Sequence, residues 1–318
     1  MHEGGETMAD DVEKMLVTEA KDGIGTILIN RPEARNAMSP RMFKKFIETL
    51  TRWAHDESIS VIIIRSAGDK AFCAGADTKE IVGSKRPETE EEKLQLINRD
   101  MAACTLMHTS ADRIAQCPQP VIAAINGVAF ATGRIIALSC DIRIVADTVV
   151  WGEALLSAQG HSKMTLAPNF QIAQRLINLV GLSRALEMIL MGRPIDAKTG
   201  YDMGLFNMVV PFKDLEQTAY NVARGMMDKF TAIALRAIKP IIRKVMDYQT
   251  PTLTTKAAAK ELLTACYGTE DFIEATKVWF RGQPPVAFTG EGPVRLVHYV
   301  DDSTPAAVQQ ALKTLGVS

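Results

Sequence analysis

PVIAAINGVAFATGRIIALSCDIRIVA, residues Pro120 to Ala146, reads in order as strand, turn, helix and strand. Val121 to Asn126 is a short buried-strand run that ends in the turn pair Asn126-Gly127. Small residues then open an apolar helix, and Ile142 to Ala146 is again β-rich. The first N–H groups of such a helix have no intrahelical acceptor and lie at the positive end of its dipole. They therefore suit a developing negative charge.

Outward from this unit the same alternation continues. Gly25 to Asn30 and Val61 to Ser66 are β-rich, while Pro40 to His55 and Glu90 to Ala115 carry helical patterns. Strands alternating with longer helices predict an α/β layer architecture with crossover connections. From Leu215 the strands stop and helical segments follow through Lys277, with boundaries expected at Pro240, Pro251 and Gly268. The charged run Lys85 to Lys93 reads as a solvated loop leading into a helix. Beyond Gly290 the pattern is irregular, with Pro293, Pro305 and a last amphipathic piece, Pro305 to Leu315.

At 318 residues and 47% hydrophobic content, the chain can bury one large core, or a core plus a smaller helical domain. A net charge of −1 offers no basic stripe for nucleic acid or an anionic membrane surface, so neither is expected as a partner. The cysteines, Cys73, Cys104, Cys117, Cys140 and Cys266, form neither a CxxC pair nor a dense secreted scaffold. Met1 to Lys14 is acidic and polar, unlike a signal peptide, and no apolar run is long enough to span a bilayer. These features predict a cytoplasmic location in a reducing compartment, with residues 1–14 as a disordered leader. No His/Cys/Asp/Glu cluster has metal-ligand spacing.

Two further stretches join the first: INRPEARNAMS at Ile29 to Ser39 and AFCAGADTKEI at Ala71 to Ile81. Ala74, Gly75 and Ala76 follow a strand and let the backbone approach a ligand that larger side chains would block. Two N–H donors from two strand ends, aimed at one point, make an oxyanion hole, where one donor contributes about 3 kcal/mol to lowering a barrier. Taken singly, each stretch reads rather as a tight strand-to-helix turn, common in any α/β protein.

Together, their order and spacing resemble the crotonase (enoyl-CoA hydratase/isomerase) superfamily. The family's AG-x-D loop matches Ala74 to Asp77, and its N-G-x-A-x-G-G-G turn matches Asn126 to Gly133. GRPIDAKTGYDMGLFNMVVP (Gly192 to Pro211) and TEDFIEATKVWFRGQPPVAFTG (Thr269 to Gly290) extend the likeness, which covers roughly Leu16 to Gly290. The resemblance implies a spiral of ββα units at 15–212, a helical oligomerisation region at 213–290 and a tail at 291–318. A homotrimer or dimer of trimers is carried by the resemblance alone. It also implies an acyl-CoA substrate, with coenzyme A arriving as part of the thioester and no cofactor tightly bound. The oxyanion N–H groups would be those of Ala76 and Thr132, the latter at the middle glycine of the family's triple. Thr132 can donate provided its φ is negative. Backbone from Glu33, Ala34 and Arg35 to Met38, and at Ala74, Gly75 and Ala76, would flank the bent CoA chain.

The chain departs from the family at its acid/base positions. Hydratases of this family carry two glutamates that handle water; here those positions read Ile135 and Leu155. Glu153, one pleat before Leu155 in Trp151-Gly152-Glu153, is either a relocated carboxylate or a solvated strand-end residue. Arg134 opposes the dipole in the first turn of its helix. It therefore either meets a carboxylate, from Glu153 or from the substrate, or bends into solvent. His161, beside Ser162 and Lys163 in an atypical loop, is a candidate general base or merely exposed. Asp77 and Asp141 read as structural, and Tyr267 and Phe272 as core, interface or acyl-pocket wall. The expected activity is that of a lyase, isomerase or hydrolase on a CoA thioester, in fatty acid or aromatic acid metabolism. The alternative is an acyl-CoA binder without catalysis. A serine hydrolase lacks a nucleophile elbow.

Overall fold

The computed structural model describes residues 8–82, 89–152, 170–192 and 194–249. The chain runs through helix α1 (Met8–Met15), strands β1 (Leu16–Lys21) and β2 (Ile24–Ile29) and helix α2 (Pro40–Ala54). Strands β3 (Val61–Ser66) and β4 (Ala71–Cys73) precede helices α3 (Thr78–Val82) and α4 (Glu90–Gln116). Strands β5 (Val121–Ile125) and β6 (Val128–Ala129), helix α5 (Thr132–Ser139), and strands β7 (Ile142–Ala146) and β8 (Val150–Trp151) follow. Helices α6 (Phe170–Val180) and α7 (Leu182–Met191), strand β9 (Ile195–Asp196), helix α8 (Ala197–Asp202), strand β10 (Met208–Val210), and helices α9 (Leu215–Lys229) and α10 (Ala232–Gln249) complete it.

Residues group into two compact units. The first, Met1–Asp77, Leu106–Trp151 and Ile195–Met246, holds both sheets. Its larger sheet has the order β1-β2-β3-β5-β7-β10 and is parallel except where β1 runs against β2. Its smaller sheet, β4-β6-β8-β9, is parallel across its first three strands. Each of β3, β5 and β7 feeds the large sheet, and each successor, β4, β6 and β8, feeds the small one. This is the expected spiral of ββα units. The C-terminal ends of β4 and β6, neighbours in a parallel sheet, therefore emerge side by side, the usual place for a ligand in α/β sheets.

Burial explains the strand sequences. β5 is buried along its length and β3 nearly so, which a parallel sheet covered on both faces demands and VIIIRS and VIAAI supply. Helix α2 starts where Ser39 Oγ accepts the Met42 N–H at 3.3 Å, with Pro40 opening the helix. Its apolar stripe buries Met42, Phe43, Phe46, Leu50 and Trp53. Each of the two phenylalanines contributes about 2–3 kcal/mol by leaving water. Helix α9 packs on β3, β5 and β7, with Ala219 and Ala223 among its buried residues.

Helix α10 is anchored by charge. Lys239 Nζ lies 2.7 Å from the Asp141 carboxylate and donates to the carbonyls of Ile114 (2.8 Å) and Gln119 (3.2 Å). Arg243 reaches the other Asp141 oxygen at 2.9 Å, and the Val121 N–H donates to the carboxylate at 2.8 Å. Burial lowers the Lys239 pKa, opposed by the charge and hydrogen bond of Asp141. This anchoring explains why Pro240, expected as a boundary, lies inside a continuous helix. The neighbouring Lys239 ties that turn down, so the chain tolerates the lost N–H. Pro251 and Gly268 lie outside the described residues.

Two other expectations are modified. Residues 8–14 of the segment expected to be a disordered leader belong to α1, whose Glu13 pairs with Lys45 and whose Lys14 carbonyl accepts from Asn30 Nδ2 at 3.0 Å. Helix α9 and residues 232–246 of α10, placed by the sequence in a C-terminal region from residue 213, group with the sheets. In the second unit, the described elements are α3, the first part of α4, and the packed pair α6 and α7. Among the described residues no helix is long and apolar enough to cross a membrane.

Candidate active site

Three connections of the sheet unit are sewn together. The Met38 N–H donates to the Gly75 carbonyl at 2.9 Å, and the Asp77 N–H donates to the Met38 carbonyl at 2.8 Å. These two bonds make a parallel bridge between Met38 and Ala76. In such a bridge the N–H of Ala76 points away from Met38; it has no backbone acceptor among the described residues. Asn36 braces the first loop: it donates to the carbonyls of Ala67 (2.8 Å) and Ala71 (2.7 Å) and accepts the Arg31 N–H at 2.9 Å. Arg31 also pairs with Asp77 at 2.9 Å, consistent with a loop-holding role for that aspartate. From the other side, Asn126 Nδ2 donates to Ser66 (3.2 Å) and Gly68 (2.6 Å) carbonyls.

The turn after β6 sets the second donor. Ala131 has φ 43 and ψ −112, and the Gly133 N–H donates to the Phe130 carbonyl at 2.8 Å. Together these define a type II′ turn over Phe130–Gly133, whose first central position is normally glycine. An alanine held there costs about 1–3 kcal/mol. The ψ of Ala131 fixes the plane of the Ala131–Thr132 peptide. The N–H of Thr132, first residue of α5, has no backbone acceptor among the described residues. Thr132 itself has negative φ, as expected; the strain falls on its neighbour.

The turn and the loop touch. A Cβ on Gly75 would lie 3.2 Å from that of Ala131, and the Phe130 N–H donates to the Cys73 carbonyl at 3.0 Å. At Gly133 the approach is closer still, since a Cβ there would lie 2.2 Å from the Cys73 carbonyl oxygen. Only glycine permits it. The Ala76 and Thr132 donors thus leave two adjoining segments at one end of the small sheet. Thr132 Oγ1 donates to Met107 Sδ on α4 at 2.8 Å, fixing that helix against the turn.

Electrostatics divide the nearby groups. The Cys73 thiol is buried, and desolvation pushes its pKa up to about 12, which leaves it protonated and unreactive. His108 on α4 is held below the usual imidazole range by burial, against the opposing field of Asp112 four residues on. It is neutral at pH 7.

Several expected site residues find their places. Ala74, Gly75 and Ala76 form the loop after β4; Glu33 and Arg35 are exposed and Ala34 half-buried at its partner connection. The Arg35 carbonyl accepts the Ala74 N–H at 3.0 Å. Arg134 is buried, at 3% exposure, and engaged, so the reading in which it bends into solvent is set aside. Ile135 is buried on α5, where an acid/base glutamate was expected of a hydratase. Glu153, Leu155, His161, Ser162, Lys163, Tyr267 and Phe272 lie outside the described residues. The strained Ala131, the Met107 contact and the Asn36 brace were not identified from sequence. The Ala-Thr-Gly replacement of a glycine triple was the available signal for the first.

The enoyl-CoA hydratase/isomerase family profile matches residues 19–283. The chain belongs to the enoyl-CoA hydratase/isomerase family. It is 29% identical over 270 residues to the short-chain-enoyl-CoA hydratase of Clostridium acetobutylicum, covering 83% of this chain and 96% of that one. Among solved structures, the enoyl-CoA hydratase from Bacillus anthracis superimposes with a TM-score of 0.60 at 30% identity, covering 87% of this chain and 100% of the other. A monofunctional enoyl-CoA isomerase from M. smegmatis gives a TM-score of 0.58 at 25% identity, covering 74% and 94%. Family membership makes an enzyme acting on CoA thioesters the general reading, with hydration and isomerisation both represented among these relatives.

Proposed function

We propose that this chain binds the carbonyl of a CoA thioester between the N–H groups of Ala76 and Thr132 and stabilises the enolate formed there. The observation that carries this reading is the pair of donors that have no backbone acceptors among the described residues, where the loop after β4 meets the strained turn after β6. As the thioester oxygen gains charge, both N–H dipoles already point from a fixed backbone and need no reorganisation. The first loop and the Ala74–Ala76 backbone would flank the CoA chain, which comes and goes with the substrate. Strain at Ala131 fits a functional turn, where an unfavourable backbone is retained because it sets a donor.

The reaction is a nonstandard hydration, isomerisation or carbon–carbon hydrolysis. Ile135 supports this, because a buried aliphatic side chain cannot move a proton to or from water. The same residue keeps a second reading open, a binder that retains the cradle without chemistry. Both are tested by incubating the protein with enoyl-, dienoyl-, β-keto- and aryl-CoA thioesters and following products by mass spectrometry. Turnover of any of them supports the enzyme, and tight binding with no product across the series supports the binder. No binding at all overturns the proposal.

A further inference from the structure

We propose that the thioether sulfur of Met107 holds the Thr132 N–H in its donating position, and that oxidation of that sulfur by a peroxide releases it. This rests on the oxyanion reading above and goes beyond it by naming a positioning residue and a means of switching the site.

The need for such a hold starts with Ala131. Its φ of 43 and ψ of −112 make a conformation that alanine keeps only where its surroundings over-determine it. The peptide that would tilt to relieve the strain is Ala131–Thr132, the one that carries the second donor. At its carbonyl end this peptide is held by α5, since the Ala131 oxygen accepts the Ile135 N–H at 3.1 Å. At its other end the hold comes from the Thr132 side chain.

Where the family pattern has a glycine with nothing to tether, this chain places a hydroxyl, and Thr132 is fully buried. A buried hydroxyl needs a partner. Oγ1 finds it on α4, donating to Met107 Sδ at 2.8 Å. Both residues belong to the sheet unit. Met107 is only half-buried, so a small oxidant can reach its side chain, whereas Thr132 is closed to solvent.

The tether is sensitive to oxidation because a thioether accepts through sulfur and a sulfoxide through its oxygen. With hydrogen peroxide as oxidant, a sulfur lone pair attacks one peroxide oxygen, the O–O bond breaks and the S–O bond forms. The departing hydroxide takes the proton of the transferred oxygen and leaves as water. Sulfur is oxidised to the sulfoxide and the peroxide is reduced. The product is a polar side chain with an added atom beside a contact that has no room for one. Thr132 must then turn toward the new oxygen or lose its partner, and in either case the present tether is gone.

The test uses butyryl-CoA labelled with 13C at its carbonyl, bound to the full chain, with occupancy measured by equilibrium dialysis. Wild-type protein is expected to lower the infrared frequency of the carbonyl. Met107→Leu conserves volume and packing but accepts no hydrogen bond, so a large part of that shift is expected to be lost with the thioester still bound. Thr132→Val is expected to lose the same part, the double variant no more than either, and Thr132→Ser, which keeps the hydroxyl, to retain it. Hydrogen peroxide is expected to act on wild type as Met107→Leu does, with the sulfoxide at Met107 seen by mass spectrometry and the shift restored by a methionine sulfoxide reductase. The chain has 15 methionines, so peroxide reaches others too, and Met107→Leu decides which one matters: its band is expected to be insensitive to peroxide.

An unchanged band in Met107→Leu overturns the positioning role, and so do additive losses in the double variant. Equal peroxide effects in wild type and Met107→Leu, or a Met107 that stays unoxidised, overturn the switch. These results leave the oxyanion reading standing, whereas no shift in wild-type protein with the thioester bound defeats both.

Discussion

Replacing Ala131 by glycine is expected to stabilise the protein while sparing its site. Ala131 sits at φ 43 and ψ −112, the first central position of a type II′ turn, where a Cβ costs about 1–3 kcal/mol. Glycine removes that cost but gives back about 0.4–1 kcal/mol through the greater freedom of the unfolded chain. The difference is a net gain of about 1 kcal/mol. Urea unfolding checks it: the midpoint is expected to rise with the slope unchanged, because only native-state strain has altered. In a chain of this size the melting temperature rises by about 2 °C. Thioester binding is expected to persist, because glycine holds the same turn. Ala131→Val is the reverse control: a β-branched residue is far worse than alanine at positive φ. A lower midpoint for Ala131→Gly, or equal midpoints for the glycine and valine variants, would refute the strain argument.

Other consequences are as direct. Gly133→Ala would place a Cβ 2.2 Å from the Cys73 carbonyl oxygen, so the turn must move by about 1 Å. Misplacement on that scale is expected to lower turnover about 100-fold in steady-state assays. Lys239→Met leaves the Asp141 carboxylate, among the described residues, with Arg243 and the Val121 N–H as its partners, and is expected to cost about 3 kcal/mol in denaturant titrations. Cys73, with its pKa raised from 9.0 to about 12, stays a thiol in the folded protein while the unfolded chain ionises it. Its contribution to stability is full below pH 9 and is lost as pH rises toward 12, by about 1.4 kcal/mol per unit. Native protein is therefore expected to resist alkylation at Cys73 at pH 8, measured by mass spectrometry of the digested chain.

What the sequence revealed follows the strength of the local signal. β3 and β7 fall on the residues expected for them, and α2 and α4 end within one residue of expectation, because apolar runs and a Ser-Pro start are strong signals. β4, β6, β8 and β9 have only two or three residues each, too few for any period. Strands were anticipated just before Ala74 and Glu153, but nothing in the sequence showed that such short pieces pair into a second sheet. Pro240 misled because an interaction distant in sequence, Lys239 with Asp141, overrides a local breaker. At the site, small residues marked where backbone approaches backbone. They did not reveal that an alanine would adopt a glycine conformation, since that depends on the Phe130–Gly133 hydrogen bond.

The most direct test of the donor pair is the carbonyl stretch of a 13C-labelled CoA thioester bound to the wild-type protein and to Gly133→Ala. Two backbone N–H bonds polarise the carbonyl, so its band is expected to fall in frequency on binding to wild type and to recover much of that shift in the variant. An unshifted band in wild-type protein with the thioester demonstrably bound would contradict the assignment of Ala76 and Thr132 as the oxyanion donors.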